Sequence, residues 1–425
     1  MIGSAPQKAL LRTYAKHVSR PKADFFKSVG LGVVQGRREG IYLESLEGPR
    51  KGRPPLKLVD CRTAGGVFNL GHRHPAILAA LREGIEAGLD VGDHHLVSEQ
   101  RALLAKQLAD LMPGDLNQTQ FCASGGEAVD LAIKLAFAAT GRKKVVSANR
   151  AYHGVTGLAL AAGSPRFQDP FGWHLPGFEK VEFGDVEALE AAVDDQTACV
   201  IFETIPATGG ILVPPEGYFA RARELCDDTG AVLVADEVQA GLGRTGVLWA
   251  IHGGLYPDEK VVPDAIVLAK GMSAGVYPLA TVTYRPFLGE VFAEDPFVHI
   301  STTGGAELGC FVARRMLELV SSPEILSNVR DRGRSFERRL NELQERHPAL
   351  VRDVRGRGLM WGVELPNDRY GVGFTLRMIE RGVWADYCGN DEKTVKLMPP
   401  LVITEDDVEE VFSRIEPALA SLPPP

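Results

Sequence analysis

From about residue 75 the chain alternates between two hydrophobic periodicities. Apolar residues fall at helical spacing in PAILAALREGIEAGL (75–89) and SEQRALLAKQLADLM (98–112), since positions three and four apart share one helix face. Among such stretches lie short β-rich runs: QTQFCA, KKVVSAN, ACVIFE, AVLVAD, DAIVLA and LATVTY. Most are separated by enough chain for a crossover helix. AVLVAD and DAIVLA are continuously apolar rather than alternating, the pattern of strands covered on both faces. The reading is an α/β fold, with a mostly parallel central sheet over about residues 62–310 and helices on both faces. Beyond it GCFVARRMLELV and NVRDRGRSFERRLNELQERH read as helices, DVRGRGLMWGVEL as strand-like, and the chain from Glu405 as a last helix. That part has the character of a smaller α+β domain. The expected division is an N-terminal segment 1–61 packing with the small domain, a large domain 62–315, and a C-terminal small domain 316–425. Gly48–Pro55 (GPRKGRPP) reads as an exposed loop between two short strands.

Composition narrows the function classes. A chain of 425 residues, 45% hydrophobic and 24% charged, is long enough for two domains and too apolar for general disorder. The formal charge of −8 argues against nucleic-acid binding, which needs a clustered basic surface; the Arg37–Arg38 pair reads as a solvated face. No apolar run approaches the roughly 20 residues that cross a bilayer. The basic N-terminus lacks the apolar stretch of a secretory signal, so a soluble cytoplasmic enzyme with no membrane partner is expected. Six cysteines with no CxxC pair suit reduced, buried thiols, and no metal site is expected.

Four features stand where open α/β sheets bind ligands, beyond the carboxyl ends of strands. Ser124-Gly125-Gly126 lies between a strand and a helix, where glycines and free N–H groups receive a phosphate. The same turn could be no more than a tight turn. Asp236 directly follows an apolar strand and needs a cationic partner. A protonated cofactor ring nitrogen is one such partner; a helix cap or an ion pair with Arg244 is the alternative. Lys270 ends another apolar run, where desolvation makes an amine nucleophilic enough for a Schiff base; a lone lysine at a strand end would more often reach out to solvent. The last feature is the hydroxyl-rich turn HISTTGGAELGC. Their order and spacing together, rather than any one, carry the inference.

With DEVQAGLGRTG followed by Lys270, and with FNLGHRHP, SGGEA, AYHG and MPPLVIT, the sequence resembles the class III aminotransferases of fold type I. These depend on pyridoxal 5'-phosphate (PLP) and include ornithine, acetylornithine and GABA aminotransferases. The resemblance runs from about Gly40 to Val411. It implies that Lys270 carries PLP as a Schiff base and shuttles the catalytic proton, while Asp236 pairs with the ring nitrogen. Gln239 would lie near the phenolic oxygen, with Tyr152 stacked on one ring face and Val238 on the other. Ser124, Gly125 and Gly126 would cradle the phosphate, and Glu203 and His153 would stand close by. Thr302, with Thr303 beside it, would reach the phosphate from the neighbouring subunit of a homodimer with shared active sites. The substrates implied are an amine or amino acid and a keto acid or aldehyde.

The departures bear on substrate. Ornithine-type enzymes have a Glu where this chain has Thr208, and an Arg where it has Lys396; lysine keeps the charge but loses the bidentate fork. Gly65 stands near a bulky aromatic of those relatives, which suggests a roomier pocket, or serves backbone geometry alone. Glu307 replaces a usual proline, and Arg166 and Trp173 are candidate substrate contacts. His72 and His74 read as structural. The reading is transamination through Lys270; the alternative is an epimerase, decarboxylase or phospho-lyase on the same fold.

Overall fold

The computed structural model describes residues 6–49, 52–92 and 95–425. Arg50 and Lys51 of the Gly48–Pro55 loop lie outside the described residues. The strands run, in chain order, β1 (Gln35–Glu39), β2 (Tyr42–Ser45) and β3 (Lys57–Asp60) in the N-terminal segment. Then come β4 (Gln118–Cys122), β5 (Lys144–Ala148), β6 (Phe178–Val181), β7 (Thr197–Glu203), β8 (Val232–Asp236), β9 (Ala265–Leu268) and β10 (Ala280–Tyr284). The last are β11 (Asp353–Arg357), β12 (Met360–Glu364), β13 (Val383–Trp384), β14 (Asp386–Cys388) and β15 (Asp391–Leu397).

The central sheet has seven strands in the order β4-β10-β9-β8-β7-β5-β6. It is parallel throughout except at β10, which runs antiparallel to both its neighbours. The carboxyl ends of β4, β7, β8 and β9 therefore share one edge. Both faces are apolar, and the alternation is visible residue by residue. Cys199, Ile201, Val232, Val234, Ala265 and Val267 pack on one side with the helix Gly125–Thr140. Val200, Phe202, Leu233, Ala235, Ile266 and Leu268 face the opposite core. This is why the central runs read as unbroken apolar segments.

The six runs read as strands match β4, β5, β7, β8, β9 and β10 to within two residues at either end. β6 carries no such signal: FEKV is a polar edge strand with one buried residue, so neither periodicity nor bulk marks it. DVRGRGLMWGVEL forms a hairpin rather than one strand. Gly358 takes φ +54 between β11 and β12, a conformation glycine reaches without strain. The long C-terminal helix spans Pro323–Arg346. It starts earlier than its apolar pattern because Ser322 caps it and Pro323 opens it.

Two smaller sheets complete the chain, β1-β2-β3-β13 and β11-β12-β15-β14. In the first, β3 pairs in parallel with β13, bringing residues near 60 beside residues near 384. Among the described residues no helix is long and apolar enough to cross a membrane. All six cysteines are buried and free.

Candidate active site

The shared strand edge opens into a cavity of about 530 Å³. Ten of the residues singled out from the sequence line it: Ser124, Gly125, Gly126, Tyr152, His153, Glu203, Asp236, Val238, Gln239 and Lys270. Register brings several together, since Glu203 is the cross-strand partner of Asp236 and Asp236 that of Val267. Thr302 and Thr303 do not line the cavity; both are exposed on this chain.

Lys270 takes φ +37, a left-handed backbone that non-glycine residues adopt at a cost and that clusters at functional sites. Its amine lies 3.4 Å from Gln239 Oε1. Burial holds its proton affinity below that of an ordinary lysine, and the charge of Lys396 adds to this, while Asp236 and Glu203 oppose it. Asp236 is buried and takes His153 Nδ1 at 2.7 Å on one oxygen and the Val238 N–H at 3.0 Å on the other. It makes no ion pair with Arg244. That residue is also buried and donates instead to the carbonyls of Leu359 and Pro399. Glu203 accepts the Tyr152 N–H at 2.8 Å. Burial pushes its carboxyl well above the usual carboxylate range, Asp236 adding to the push and His153 countering it.

The residues fit an anionic, ring-bearing cofactor. Ser124 is the N-cap of the 16-residue helix Gly125–Thr140, whose start lines the cavity, and helix N-termini favour anions. A side chain at Gly126 would meet Thr156 Oγ1 at 2.8 Å, so only glycine lets the two cavity-lining residues Gly126 and Thr156 approach this closely. His153 Nε2 is buried without a protein partner. Tyr152 and Val238 supply an aromatic and an aliphatic wall, and Tyr152 stands edge-on to Phe167 with ring centroids 5.2 Å apart.

Three neighbours escaped the sequence reading. Met398 Sδ accepts from Gln239 Nε2 at 3.2 Å; MPPLVIT was noticed only as a motif. Thr156 and Tyr277 line the cavity without any periodic signal to mark them. The turn Thr63–Gly66 matters for a further reason. Asp60 Oδ1 accepts the N–H groups of Arg62 and Thr63, and the residues from Thr63 to Gly66 all take positive φ. A Cβ on Gly65 would meet Gln239 Nε2 (3.2 Å) and Lys270 Cε (3.4 Å) at φ +71, so the backbone reading of Gly65 has a structural basis.

Among the substrate candidates, Thr208 and Lys396 are not hydrogen-bonded or ion-paired to each other. Thr208 accepts the Asn390 N–H through its carbonyl, and Lys396 lies 4.0 Å from Asp386. Arg166 pairs with Glu392 at 2.9 Å, and neither it nor Trp173 lines the cavity. Glu307 accepts from Ser98 Oγ at 2.7 Å, tying together two helix starts. His72 is buried against Asp60 at 2.8 Å. Cys122, Glu127 and His299 bring ligand-type atoms within 4.8 Å of one another, but the Lys134 amine sits 3.2 Å from His299 Nδ1 and opposes a cation.

A lysine, an aspartate and a helix start thus converge on one edge of the mostly parallel sheet. The family model for class III aminotransferases matches residues 30–419, and the chain belongs to that family, whose members depend on PLP. It is 46% identical to an uncharacterised aminotransferase of Archaeoglobus fulgidus, over 98% of this chain and 95% of the relative. The fold matches the crystal structure of ornithine aminotransferase from Toxoplasma gondii with a TM-score of 0.87. Identity there is 26%, over 99% of this chain and 96% of that one. It also matches an (S)-enantioselective ω-transaminase from Thermomicrobium roseum with a TM-score of 0.86. In that case identity is 28%, over 98% of this chain and 99% of that one.

Proposed function

We propose that this chain binds PLP covalently through Lys270 and moves an amino group from an amine or amino acid to a keto acid or aldehyde. The observation that carries the reading is the half-buried Lys270 amine, held in a left-handed backbone and lining one cavity with the His153–Asp236 pair. When bound, PLP supplies an electron sink that acidifies the substrate C–H and carries the amino group. Every other role falls to the protein. Lys270 Nζ, kept short of its usual proton affinity by burial, takes a proton from the substrate carbon and returns it. Asp236 places its charge at the ring nitrogen and is itself oriented by His153. Ser124, Gly125 and Gly126 receive the phosphate, Tyr152 and Val238 confine the ring, and Gln239 orients the Lys270 amine.

The homodimer belongs to the same proposal. Val91, Leu96, Val97, Phe297, Val298 and Ile300 are exposed on the two segments around Asp90 and Thr302. Leu308 N–H to Asp90 O joins those segments. An apolar surface of this kind calls for a cover. A second copy supplying it would bring its Thr302 and Thr303 to the phosphate. We propose also the three-part division at residues 61 and 315, supported by the β3–β13 pairing across the ends of the chain. The compartment proposed is the cytoplasm, in keeping with six free cysteines.

The test is to mix holoenzyme with a panel of amines and amino acids and follow the visible absorption of the bound cofactor. Bleaching by a donor, reversed by a keto acid, is the expected result. Exchange of substrate α-hydrogen with solvent, without bleaching, would move the chemistry to the epimerase or lyase alternative.

A further inference from the structure

Two left-handed segments of backbone face each other at the Lys270 site. One is the turn Thr63–Gly66, with φ of +47, +50, +71 and +96 in succession. The other is Lys270 at φ +37, followed by Ala274 and Gly275 at +49 and +80. They touch on both the side-chain and the main-chain side of Lys270. A Cβ on Gly65 would meet Lys270 Cε at 3.4 Å. One on Gly271 would meet the Gly66 carbonyl oxygen at 3.2 Å and Asn69 Nδ2 at 2.6 Å. Strained backbone of this kind persists only where its surroundings over-determine it. Thr63 and Ala64 are not glycine, so the first turn needs a clamp of its own.

Asp60, at the end of β3, has the bonds of such a clamp. Its Oδ1 accepts the Arg62 N–H at 2.9 Å and the Thr63 N–H at 2.7 Å, while Oδ2 takes His72 Nε2 at 2.8 Å. Both side chains are buried, and bonds to a charged acceptor are the strong ones. His72 is fixed in turn by two backbone bonds with Gly40 and by the Phe68 ring, centroids 4.4 Å apart. A second route runs through Thr63 Oγ1, which accepts the Gly66 N–H at 3.1 Å and donates to the Met398 carbonyl at 2.8 Å. Met398 Sδ holds Gln239 Nε2, and Gln239 Oε1 lies 3.4 Å from the Lys270 amine. Asp60 and His72 do not line the cavity, but both routes end on residues that do.

We propose that Asp60, oriented by His72, is a positioning residue for Lys270: it holds the Thr63–Gly66 turn closed, and the closed turn holds the Lys270 amine where the cofactor aldehyde meets it. This rests on the reading of Lys270 as the attachment point. Retention of the cofactor's phosphate and ring draws on other residues, Ser124 to Gly126, Tyr152 and Asp236. Releasing the turn therefore slows attachment without weakening the cavity's hold on a ligand that cannot attach.

The experiment compares the full-length wild type with D60A, D60N and T63V, each freed of cofactor. Attachment is followed as the rise of the visible Schiff-base band at saturating PLP. Affinity for the cavity is measured by calorimetry with pyridoxamine 5'-phosphate, which has no aldehyde to react. D60A is expected to slow attachment at least tenfold, the weight of one hydrogen bond to a charged group. Its dissociation constant for pyridoxamine 5'-phosphate is expected to stay within threefold of wild type. D60N keeps a neutral acceptor at the same place and is expected to recover part of the lost rate. T63V loses both Oγ1 bonds at nearly constant volume; it is expected to slow attachment at least threefold and carries the test if D60A does not fold. Backbone hydrogen exchange in D60A and T63V is expected to speed up at least tenfold at residues 271–275 and to stay unchanged in the helix Gly125–Thr140. Attachment at the wild-type rate, attachment and affinity falling together, or unchanged exchange at 271–275 would overturn the clamp. If the wild type shows no band with PLP, the Lys270 reading fails, and hydrogen exchange still decides the clamp.

Discussion

Replacing Asp236 with asparagine removes one charge and almost no volume. The carboxylate is buried at the end of β8 and accepts from His153 Nδ1 at 2.7 Å and from the Val238 N–H at 3.0 Å. Asparagine Oδ1 can keep the Val238 bond, so the fold is retained. The cofactor ring nitrogen then loses its charged acceptor and faces a neutral amide. Hydrogen bonds to charged groups contribute about 1.5–3 kcal/mol, which corresponds to roughly a ten- to hundredfold rise in the cofactor dissociation constant. Asp236 also raises the proton affinity of Lys270 and of Glu203, so both should fall in the variant. The assay is equilibrium dialysis of apoprotein against PLP, with circular dichroism to confirm folding. A dissociation constant within threefold of wild type would refute the role given to this carboxylate.

Other outcomes follow from the same geometry. Lys270→Met should stabilise the apoprotein at neutral pH. The folded state holds this amine below its ordinary pKa of 10.5, so folding disfavours its charged form, a cost that is full below the lowered value and disappears as pH rises from there through 10.5. The gain should shrink as pH rises through 10.5, and thermal unfolding at pH 7 and 10.5 that shows no such convergence would contradict it. Gly65→Ala places a Cβ at φ +71 beside Gln239 and Lys270. It should cost about 1–2 kcal/mol of stability and slow amine bleaching, and a variant equal to wild type in both would count against a tight turn there. Val97→Asp puts a charge on a residue that is 96% exposed. Sedimentation should show a dimer converted to monomer with loss of PLP, whereas an intact dimer would remove this surface from the interface.

How far the sequence reaches is clear from particular residues. Strands buried on both faces, such as VLVAD and AIVL, announced themselves because each successive side chain meets apolar neighbours. The chemistry at their ends followed only from four features taken in order, since an isolated lysine or aspartate just after such a run has ordinary structural explanations. Edge strand β6 stayed hidden because half of its surroundings are solvent. The bonds that shape the site were equally out of reach. His153 to Asp236 spans 83 positions, Gln239 to Met398 spans 159, and Thr63 to Met398 spans 335. None of these leaves a periodic trace.

The central claim is that Lys270 is the attachment point. Holoenzyme reduced with borohydride, digested and examined by mass spectrometry should carry the reduced cofactor on the peptide containing Lys270. Lys180 provides the internal control. Burial also lowers its pKa, to about 7, yet its amine is tied to Ser147 and Ala161 and does not line the cavity. Label on Lys270 alone is the expected result, and label on Lys180 or on no lysine would contradict the account.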